Sequence, residues 1–272
     1  NGCGWSDRGF EPTDFRVKSK AALNCLCNTG LLFGIEGDWM ELVLSARLSC
    51  IADFIPDGAV VADIGTDHAY LPIYLALHNR CPRIYACDVR DGPLQKARDY
   101  IAQYGVQDQI EVLKSDGFLN VPDDYSTAVI AGMGGVTIAE ILSAANKRNG
   151  CQFLLQPMSK PEILRKFLYE NHFYMRDEKV VRDPTGRLYT VMDTVFGQPC
   201  GYEPIDLFAS APLRSHRDAL TTLYLERLLK IAEKQVQGIV KSNLPIEQKK
   251  QAEEHYLYLK KYFLENRREI LD

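Results

Sequence analysis

The chain has 272 residues, of which 46% are hydrophobic and 25% are charged, and its formal net charge is -4. This is the composition of a globular protein with room for one α/β domain and an appendage. No stretch approaches the roughly 20 uninterrupted apolar residues of a membrane-spanning helix. The net charge excludes a strong overall attraction to nucleic acid, although local basic patches can override a global sum.

Residues 1–39 differ from the remainder of the chain. The segment starts with Asn rather than Met, and its first 15 residues have no clear period. An apolar stretch over 21–35 faintly resembles a signal peptide, but it lacks a small-x-small cleavage site. Met40 then precedes a sequence that reads like a natural start. We therefore predict that residues 1–39 are an upstream extension and that the working fold begins at residue 40.

Strands and helices are predicted to alternate after a first helix over 42–55. Short apolar runs predict strands, and apolar residues at helical spacing predict helices. The predicted strands cover 59–64, 83–88, 110–114, 127–131 and 152–156, and the predicted helices cover 69–79, 92–104, 136–148 and 160–171. Such repeated strand–helix units predict a parallel, doubly wound sheet that binds its ligand at the carboxyl ends of the strands.

Two further strands are predicted at the end of this domain, over 178–181 and 189–195. They flank Asp183-Pro184-Thr185-Gly186, which is a turn signal, so they predict an antiparallel hairpin. A parallel sheet that ends in such a hairpin is the architecture of class I methyltransferases. The predicted fold class is therefore a Rossmann-like α/β methyltransferase domain over 40–197.

Residues 198–272 are predicted to form a separate helical hairpin. Long helices over 213–240 and 246–271 are joined by a short break that ends at Pro245, which indicates an antiparallel coiled coil. Two interpretations of its basic residues stay open: they contact phosphates, or they form a solvated face interleaved with glutamates. These residues include Lys249, Lys250, Lys260 and Lys261.

The stretch from Ala59 to Pro72 is the most informative part of the sequence. An apolar run ends at Asp63, turns at Gly65 and passes through Asp67 and His68 into an apolar helix. A helix N-terminus has unpaired N–H groups and a positive dipole end, so it attracts a ligand carboxylate or phosphate. This turn predicts a nucleotide-like cofactor site.

The ends of the next two strands indicate which cofactor binds. Nicotinamide enzymes usually carry G-x-G-x-x-G after the first strand, whereas only Gly65 is present here. S-adenosylmethionine has no phosphate and needs fewer glycines. Asp88 ends the second strand, where an acid that binds ribose belongs, and Asp116 precedes Gly117 after the third strand, where it could accept from the adenine amine. Asp91 competes with Asp88 for the ribose role.

The fourth strand ends in a run of glycines around a methionine. Enzymes that methylate exocyclic base amines often carry Asn/Asp-Pro-Pro-Tyr/Phe here, and this chain does not. Glycines leave space beside a methyl donor and let backbone groups approach a substrate. The residues are Gly132, Met133, Gly134 and Gly135.

The cysteines and histidines do not predict a metal site. The eight cysteines form no C-x-x-C pair and do not cluster with the five histidines. We interpret the cysteines as reduced thiols of a cytoplasmic protein.

Several motifs together resemble the bacterial TrmK family, whose members are S-adenosylmethionine-dependent methyltransferases that modify N1 of adenine 22 in tRNA. The resemblance covers roughly residues 41–197 and rests on Leu44-Ser45-x-Arg47-Leu48, ADIGTDHAYLP, Arg90-Asp91-Gly92-Pro93, Ile130 to Gly135 and Gln156-Pro157. The family often has Glu at the position of Asp88 and Asn at that of Met158. The first 39 residues have no counterpart.

The resemblance implies S-adenosylmethionine as cofactor and tRNA as partner. It places the cofactor at Asp63, Gly65, Asp67, His68, Asp88, Asp116, Gly117 and the loop Gly132, Met133, Gly134 and Gly135. Substrate contacts are expected at Gln156, Pro157 and Lys160 and at the four C-terminal lysines.

Little catalytic machinery is needed for this chemistry. Adenine N1 has a lone pair in the neutral base, so alignment supplies much of the acceleration. Asp67 and Tyr70 are the candidates for stabilising the charge that passes to the base, although Asp67 could instead hold the donor's amino group and Tyr70 could be a packed helix residue. Two other functions stay open: methylation of another RNA, a protein or a small molecule, and a noncatalytic RNA-binding module.

Overall fold

A computed structural model of the chain describes residues 15–17, 40–197, 201–240 and, towards the C-terminus, 247, 249–250, 253–254 and 256–262. The chain divides into two compact units, residues 1–45 and 46–272. In the first unit, β1 (Phe15–Val17) pairs antiparallel with β2 (Met40–Leu42). Most of the predicted upstream extension lies outside the described residues, so that interpretation stays a prediction.

The second unit is built on a seven-stranded sheet. Its elements in chain order are α1 (Ala46–Phe54), β3 (Val60–Ile64), α2 (Tyr70–Leu77), β4 (Arg83–Asp88), α3 (Asp91–Tyr104), β5 (Ile110–Lys114), β6 (Thr127–Gly134), α4 (Gly135–Ala144), β7 (Gln152–Ser159), α5 (Pro161–Glu170), β8 (Phe173–Arg182), β9 (Leu188–Phe196), α6 (Ala211–Ser215) and α7 (Ala219–Val240).

The strand order is β5-β4-β3-β6-β7-β9-β8. The five strands from β5 to β7 are parallel, and β9 then pairs antiparallel with both β7 and β8. The chain reverses its direction of winding between β3 and β6, and such a switch point opens a crevice at the carboxyl ends of the strands. The predicted doubly wound sheet with a terminal antiparallel hairpin is confirmed.

Both faces of the central strands are buried, which explains their continuous apolar sequences. On one face, alternate residues of β3, β4, β6 and β7 pack against α4 and α5. The residues between them are equally buried, among them Val61, Ile84 and Val129. The rigid centre of the domain thus fixes the strand ends that form the crevice.

Several boundaries differ from the predicted ones. β6 and β7 continue three residues beyond the predicted ends, and their pairing becomes irregular after Ala131. α4 ends at Ala144 rather than at residue 148, because the Lys147 ammonium donates to its last carbonyls. β8 begins at Phe173, five residues before the predicted start.

The predicted helix over 213–240 is interrupted at residues 216–218 and forms α6 and α7. Asp218 causes the restart, because its carboxylate accepts from the backbone N–H groups of Leu220 and Thr221, both at 2.9 Å. Residues 256–262 are helical, and Leu259 packs with Ala232 of α7. The coiled coil itself stays a prediction, since residues 241–246 and 263–272 lie outside the described residues.

Candidate active site

The turn after β3 is held close to two neighbouring strands. The N–H groups of Gly65 and Thr66 both donate to the Cys87 carbonyl on β4, at 2.7 and 2.9 Å. Gly65 has a φ of 82°, and a Cβ there would overlap the methyl group of Met133. A side chain at Gly65 would be strained by the backbone conformation, and its Cβ would require the Met133 methyl group to move. This close approach brings the end of β6 against the turn.

Asp63 is a buried carboxyl group at the end of β3. It is 7% exposed, and burial raises its pKa to about 6, with the nearby Asp88 charge acting in the same direction. Two carboxylates on adjacent strand ends favour a ligand that brings positive charge or several hydrogen-bond donors.

The residues between Gly65 and α2 have an unusual backbone. Asp67 and Ala69 both have left-handed conformations, with φ of 41° and 56°. Such conformations in residues other than glycine cluster at functional sites. Ala69 gives α2 no side-chain cap, so the positive end of the helix dipole faces this turn without a capping side chain.

The same turn carries a small aromatic cluster. The His68 ring stacks on Tyr70, with centroids 5.3 Å apart and planes inclined by 4°, and Tyr100 of α3 lies against both. The Asp67 carboxylate is 2.9 Å from Nδ1 of His68. The structure thus brings the two candidate catalytic residues together and adds Tyr100, which the sequence analysis missed.

Asp88 and Asp91 have different environments. Asp88 at the end of β4 is 7% exposed, and its Oδ1 accepts from the Arg90 backbone N–H at 2.8 Å. Asp91 is 82% exposed and forms an ion pair with Lys114 at 2.8 Å. Only Asp88 is a fixed, buried acceptor, so the geometry favours it over Asp91 for a ribose.

The turn after β5 places Asp116 next to Asp88. The Ser115 N–H donates to the Asp88 carbonyl at 3.0 Å, and the Ser115 hydroxyl donates to the Gly117 carbonyl at 2.9 Å. Gly117 has a φ of 54°. The Asp116 side chain is exposed at this turn, where a ligand that lies on Asp88 could reach it.

The glycine loop packs tightly against the connection between β7 and α5. A Cβ on Gly135 would overlap the Lys160 carbonyl and would lie 3.0 Å from that of Ser159. Gly132 has a φ of 78°, and its N–H donates to the Gln156 amide oxygen at 3.2 Å. The loop is thus a fixed wall of the crevice between β3 and β6.

Gln156 is fully buried, and both ends of its side-chain amide are engaged. Its oxygen also accepts from Arg47 at 2.9 Å, and its nitrogen donates to the Pro157 carbonyl, also at 2.9 Å. These bonds fix the Gln156 side chain and connect it to Arg47, and the substrate contact that the sequence predicts for Gln156 stays a prediction. Arg47, in the first turn of α1, is the second residue that the sequence analysis missed. Its presence in the Leu44-Ser45-x-Arg47-Leu48 motif was the available signal.

The remaining predicted substrate residues lie in two places. Pro157 is buried within β7, and Lys160 is exposed directly after the end of that strand. The other four lysines lie on the C-terminal helical residues, where Lys250 is 4.0 Å from Glu254 and Lys260 lies over the Tyr256 ring at 5.5 Å. Both interpretations of the C-terminal lysines, phosphate contact and solvated face, stay open. The lysines in question are Lys249, Lys250, Lys260 and Lys261.

No group of three or more His, Cys, Asp or Glu side chains among the described residues is arranged to hold a metal ion. None of the helices in the described part of the chain combines the length and apolar character that a bilayer crossing needs.

The strand order, the two acidic strand ends and the glycine-walled crevice define the class: this is a class I methyltransferase fold. In agreement, a methyltransferase domain family matches residues 44–192. A tRNA (adenine(22)-N(1))-methyltransferase of Bacillus subtilis is 38% identical over 173 residues, which are 62% of this chain and 72% of that protein. The chain belongs to the TrmK family.

Solved structures are similar over most of this chain. Bacillus subtilis TrmK, an m1A22 tRNA methyltransferase, is 28% identical with a TM-score of 0.73, over 82% of this chain and 99% of that one. A Streptococcus pneumoniae protein in complex with S-adenosyl-L-methionine is 27% identical with a TM-score of 0.69, over 81% of this chain and 99% of that one.

Proposed function

We propose that this protein transfers a methyl group from S-adenosylmethionine to N1 of adenine 22 in tRNA. One observation supports the proposal most: the buried acids Asp63 and Asp88 lie at strand ends beside the glycine wall, Gly132 to Gly135. The chain that carries this arrangement belongs to the TrmK family. The four cysteines among the described residues are buried and free, which fits a cytoplasmic setting for this reaction.

The residues of the crevice fit the chemical groups of the donor. Asp88 offers acceptor oxygens for ribose hydroxyls, and Asp116 offers one for the adenine amine. Asp63 suits the ammonium of the methionine part, and the positive dipole end of α2 suits its carboxylate. Gly65 lacks the Cβ that would fill the turn.

Few side chains need to act in the chemical step. When bound, S-adenosylmethionine supplies an electrophilic methyl group on a sulfonium. The neutral adenine already has its N1 lone pair, so the protein needs no general base to create the nucleophile. Holding N1 in line with the methyl group supplies most of the acceleration, worth up to about 7–11 kcal/mol in favourable cases.

We infer that Asp67 and Tyr70 stabilise the charge that the base acquires. The Tyr70 ring is ordered by the stack with His68, and an aromatic face favours a cation by roughly 0.5–2 kcal/mol. The Asp67 carboxylate is more than half exposed and engages His68 through Oδ2. The base reaches this site only after it is turned out of the folded tRNA.

The test is methyl transfer from labelled S-adenosylmethionine to an unmodified bacterial tRNA, followed by nucleoside analysis. We expect N1-methyladenosine with the wild-type transcript and at most background labelling when adenine 22 is replaced by guanine. Labelling that persists after this replacement would contradict the proposed position. Donor binding without transfer to any tRNA would favour a methyltransferase for another substrate, and the loss of both would favour the noncatalytic module.

The affinity for S-adenosylmethionine is expected to depend on pH through Asp63. Since the pKa of this carboxyl group is raised to about 6, it is mostly ionised at pH 7.5 and mostly protonated at pH 5. Only the ionised form attracts the donor's ammonium, so the Kd should rise about tenfold between pH 7.5 and pH 5. Calorimetric titration at both pH values measures this change.

Two variants test whether the pH dependence of S-adenosylmethionine binding comes from Asp63 or from a neighbouring residue. Asp63→Asn should bind weakly at both pH values, because it has no carboxylate to titrate. Histidines titrate in the same pH range, so His68→Asn is the matched control and should retain the wild-type dependence. A pH dependence that vanishes in His68→Asn and persists in Asp63→Asn would assign it to His68 instead.

A further inference from the structure

Arg47 is held in one orientation by three uncharged groups. Its Nη1 donates to the Gln156 amide oxygen at 2.9 Å and lies 3.0 Å from the sulfur of Met158. The guanidinium carbon lies 5.4 Å from the centre of the Tyr189 ring. These contacts use one nitrogen and one face of the guanidinium group, so other N–H donors stay available for a ligand.

No carboxylate neutralises Arg47 within the part of the chain that the structure describes. Three other arginines of the same unit each pair with an acid: Arg165 with Glu178, Arg176 with Asp193 and Arg214 with Asp206. Arg47 is half-buried and fixed in place but lacks a counterion among the described residues, so its guanidinium group can bind an anion. Its planar N–H donors match the geometry of phosphate oxygens.

The position of Arg47 connects it to the methyl-transfer site. The Gln156 oxygen that accepts from Arg47 also accepts from the Gly132 N–H, so the guanidinium group and the glycine wall share one acceptor. Adenine gains positive charge when N1 is methylated, so an arginine is unfavourable against the base itself. A phosphate beside the base is the group that Arg47 can bind without opposing the reaction.

We propose that Arg47 binds a backbone phosphate of the RNA at the target nucleotide, while Gln156 positions the guanidinium group. The proposal rests on the proposed function, because it assumes an RNA substrate at this site. It assigns to α1 a direct role in holding the nucleotide that enters the crevice.

The test compares Arg47→Ala and Arg47→Lys with wild type in steady-state methylation of a tRNA transcript over a range of salt concentrations. For Arg47→Ala, we expect the KM for tRNA to rise about tenfold while kcat changes less than threefold. The slope of log KM against log salt should fall by roughly 0.7–1, since one phosphate contact is lost. Arg47→Lys should keep the salt slope and recover part of the KM.

Arg83→Ala is the matched control, because Arg83 is an exposed arginine at the beginning of β4, at the amino end of the parallel strands and therefore opposite the carboxyl ends that form the crevice. It should leave the KM for tRNA and the salt slope unchanged. The Kd for S-adenosylmethionine and the melting temperature, measured on every variant, should also stay close to wild type.

Two results would overturn the proposal. An Arg47→Ala enzyme with wild-type KM and salt slope would exclude a phosphate contact. A raised KM with an unchanged slope and a weakened affinity for S-adenosylmethionine would show that Arg47 only supports the glycine wall. Failure of the wild-type enzyme to methylate any tRNA would instead contradict the proposed function, and it is recognised before any variant is measured.

Discussion

Glu178→Ala is expected to lower the free energy of unfolding by about 3–5 kcal/mol. The Glu178 and Arg165 side chains are both fully buried, and their ion pair has a 2.6 Å contact. Burial acts to lower the pKa of Arg165, but the adjacent carboxylate outweighs it and raises the pKa, so the guanidinium group stays charged. Removal of Glu178 therefore leaves the buried Arg165 charge without a counterion. Urea unfolding followed by circular dichroism measures the loss.

Glu178→Ala should also destabilise the packing of the C-terminal helices. The Arg165 guanidinium group donates to the Leu207 carbonyl at 3.0 Å and to the Tyr224 hydroxyl at 3.4 Å. The pair thus connects α5 and β8 to α7. Hydrogen exchange should show that α7 loses protection together with β8 in the variant.

The matched control is Glu170→Ala, which removes an exposed partner of Lys166 on α5. Exposed pairs of this kind contribute about 0.3–0.5 kcal/mol, so the control should unfold almost like wild type. Equal losses in the two variants would contradict the argument from burial. The double variant Arg165→Met with Glu178→Leu should recover much of the stability, because it removes both charges.

The strands of the domain could be predicted because their sequence signals are local. β4 and β5 have the predicted bounds, since each is a short run with clear turn signals on both sides. The sequence predicts β8 too short because charged residues from Arg176 to Lys179 interrupt its apolar pattern, although its residues largely alternate between buried and exposed, as suits a strand at the edge of the sheet. The interruption before α7 had a local signal, the capping residue Asp218, within a strongly helical sequence.

The candidate site was predictable where its residues follow strand ends. Asp63, Asp88 and the glycine loop all lie at the carboxyl edge of the parallel sheet, as the repeated strand–helix pattern indicates. Arg47 and Gln156 are separated by 109 positions along the chain, so no local pattern reveals their contact. Tyr100 reaches the site from one face of α3, where an aromatic residue is indistinguishable in sequence from a core residue.

Asp88→Asn is expected to raise the Kd for S-adenosylmethionine by about 10- to 100-fold. Asparagine keeps one oxygen for the Arg90 N–H, which donates to Asp88 at 2.8 Å, and replaces the second oxygen with an NH2 group. The ribose then loses a charged acceptor, and hydrogen bonds to charged groups contribute about 1.5–3 kcal/mol. Calorimetric titration gives the Kd, and the melting temperature without ligand checks the fold.

Asp91→Asn is the control that decides between the two acids near the end of β4. Its side chain is 82% exposed and pairs with Lys114, so the substitution should change the Kd less than twofold. A larger effect at Asp91 than at Asp88 would assign the ribose to the exposed acid and would contradict the geometric argument. Because Asp88 is held by the Arg90 N–H before any ligand binds, its carboxylate loses little conformational freedom on binding. The buried acid is therefore a better ligand for a ribose than the more accessible one.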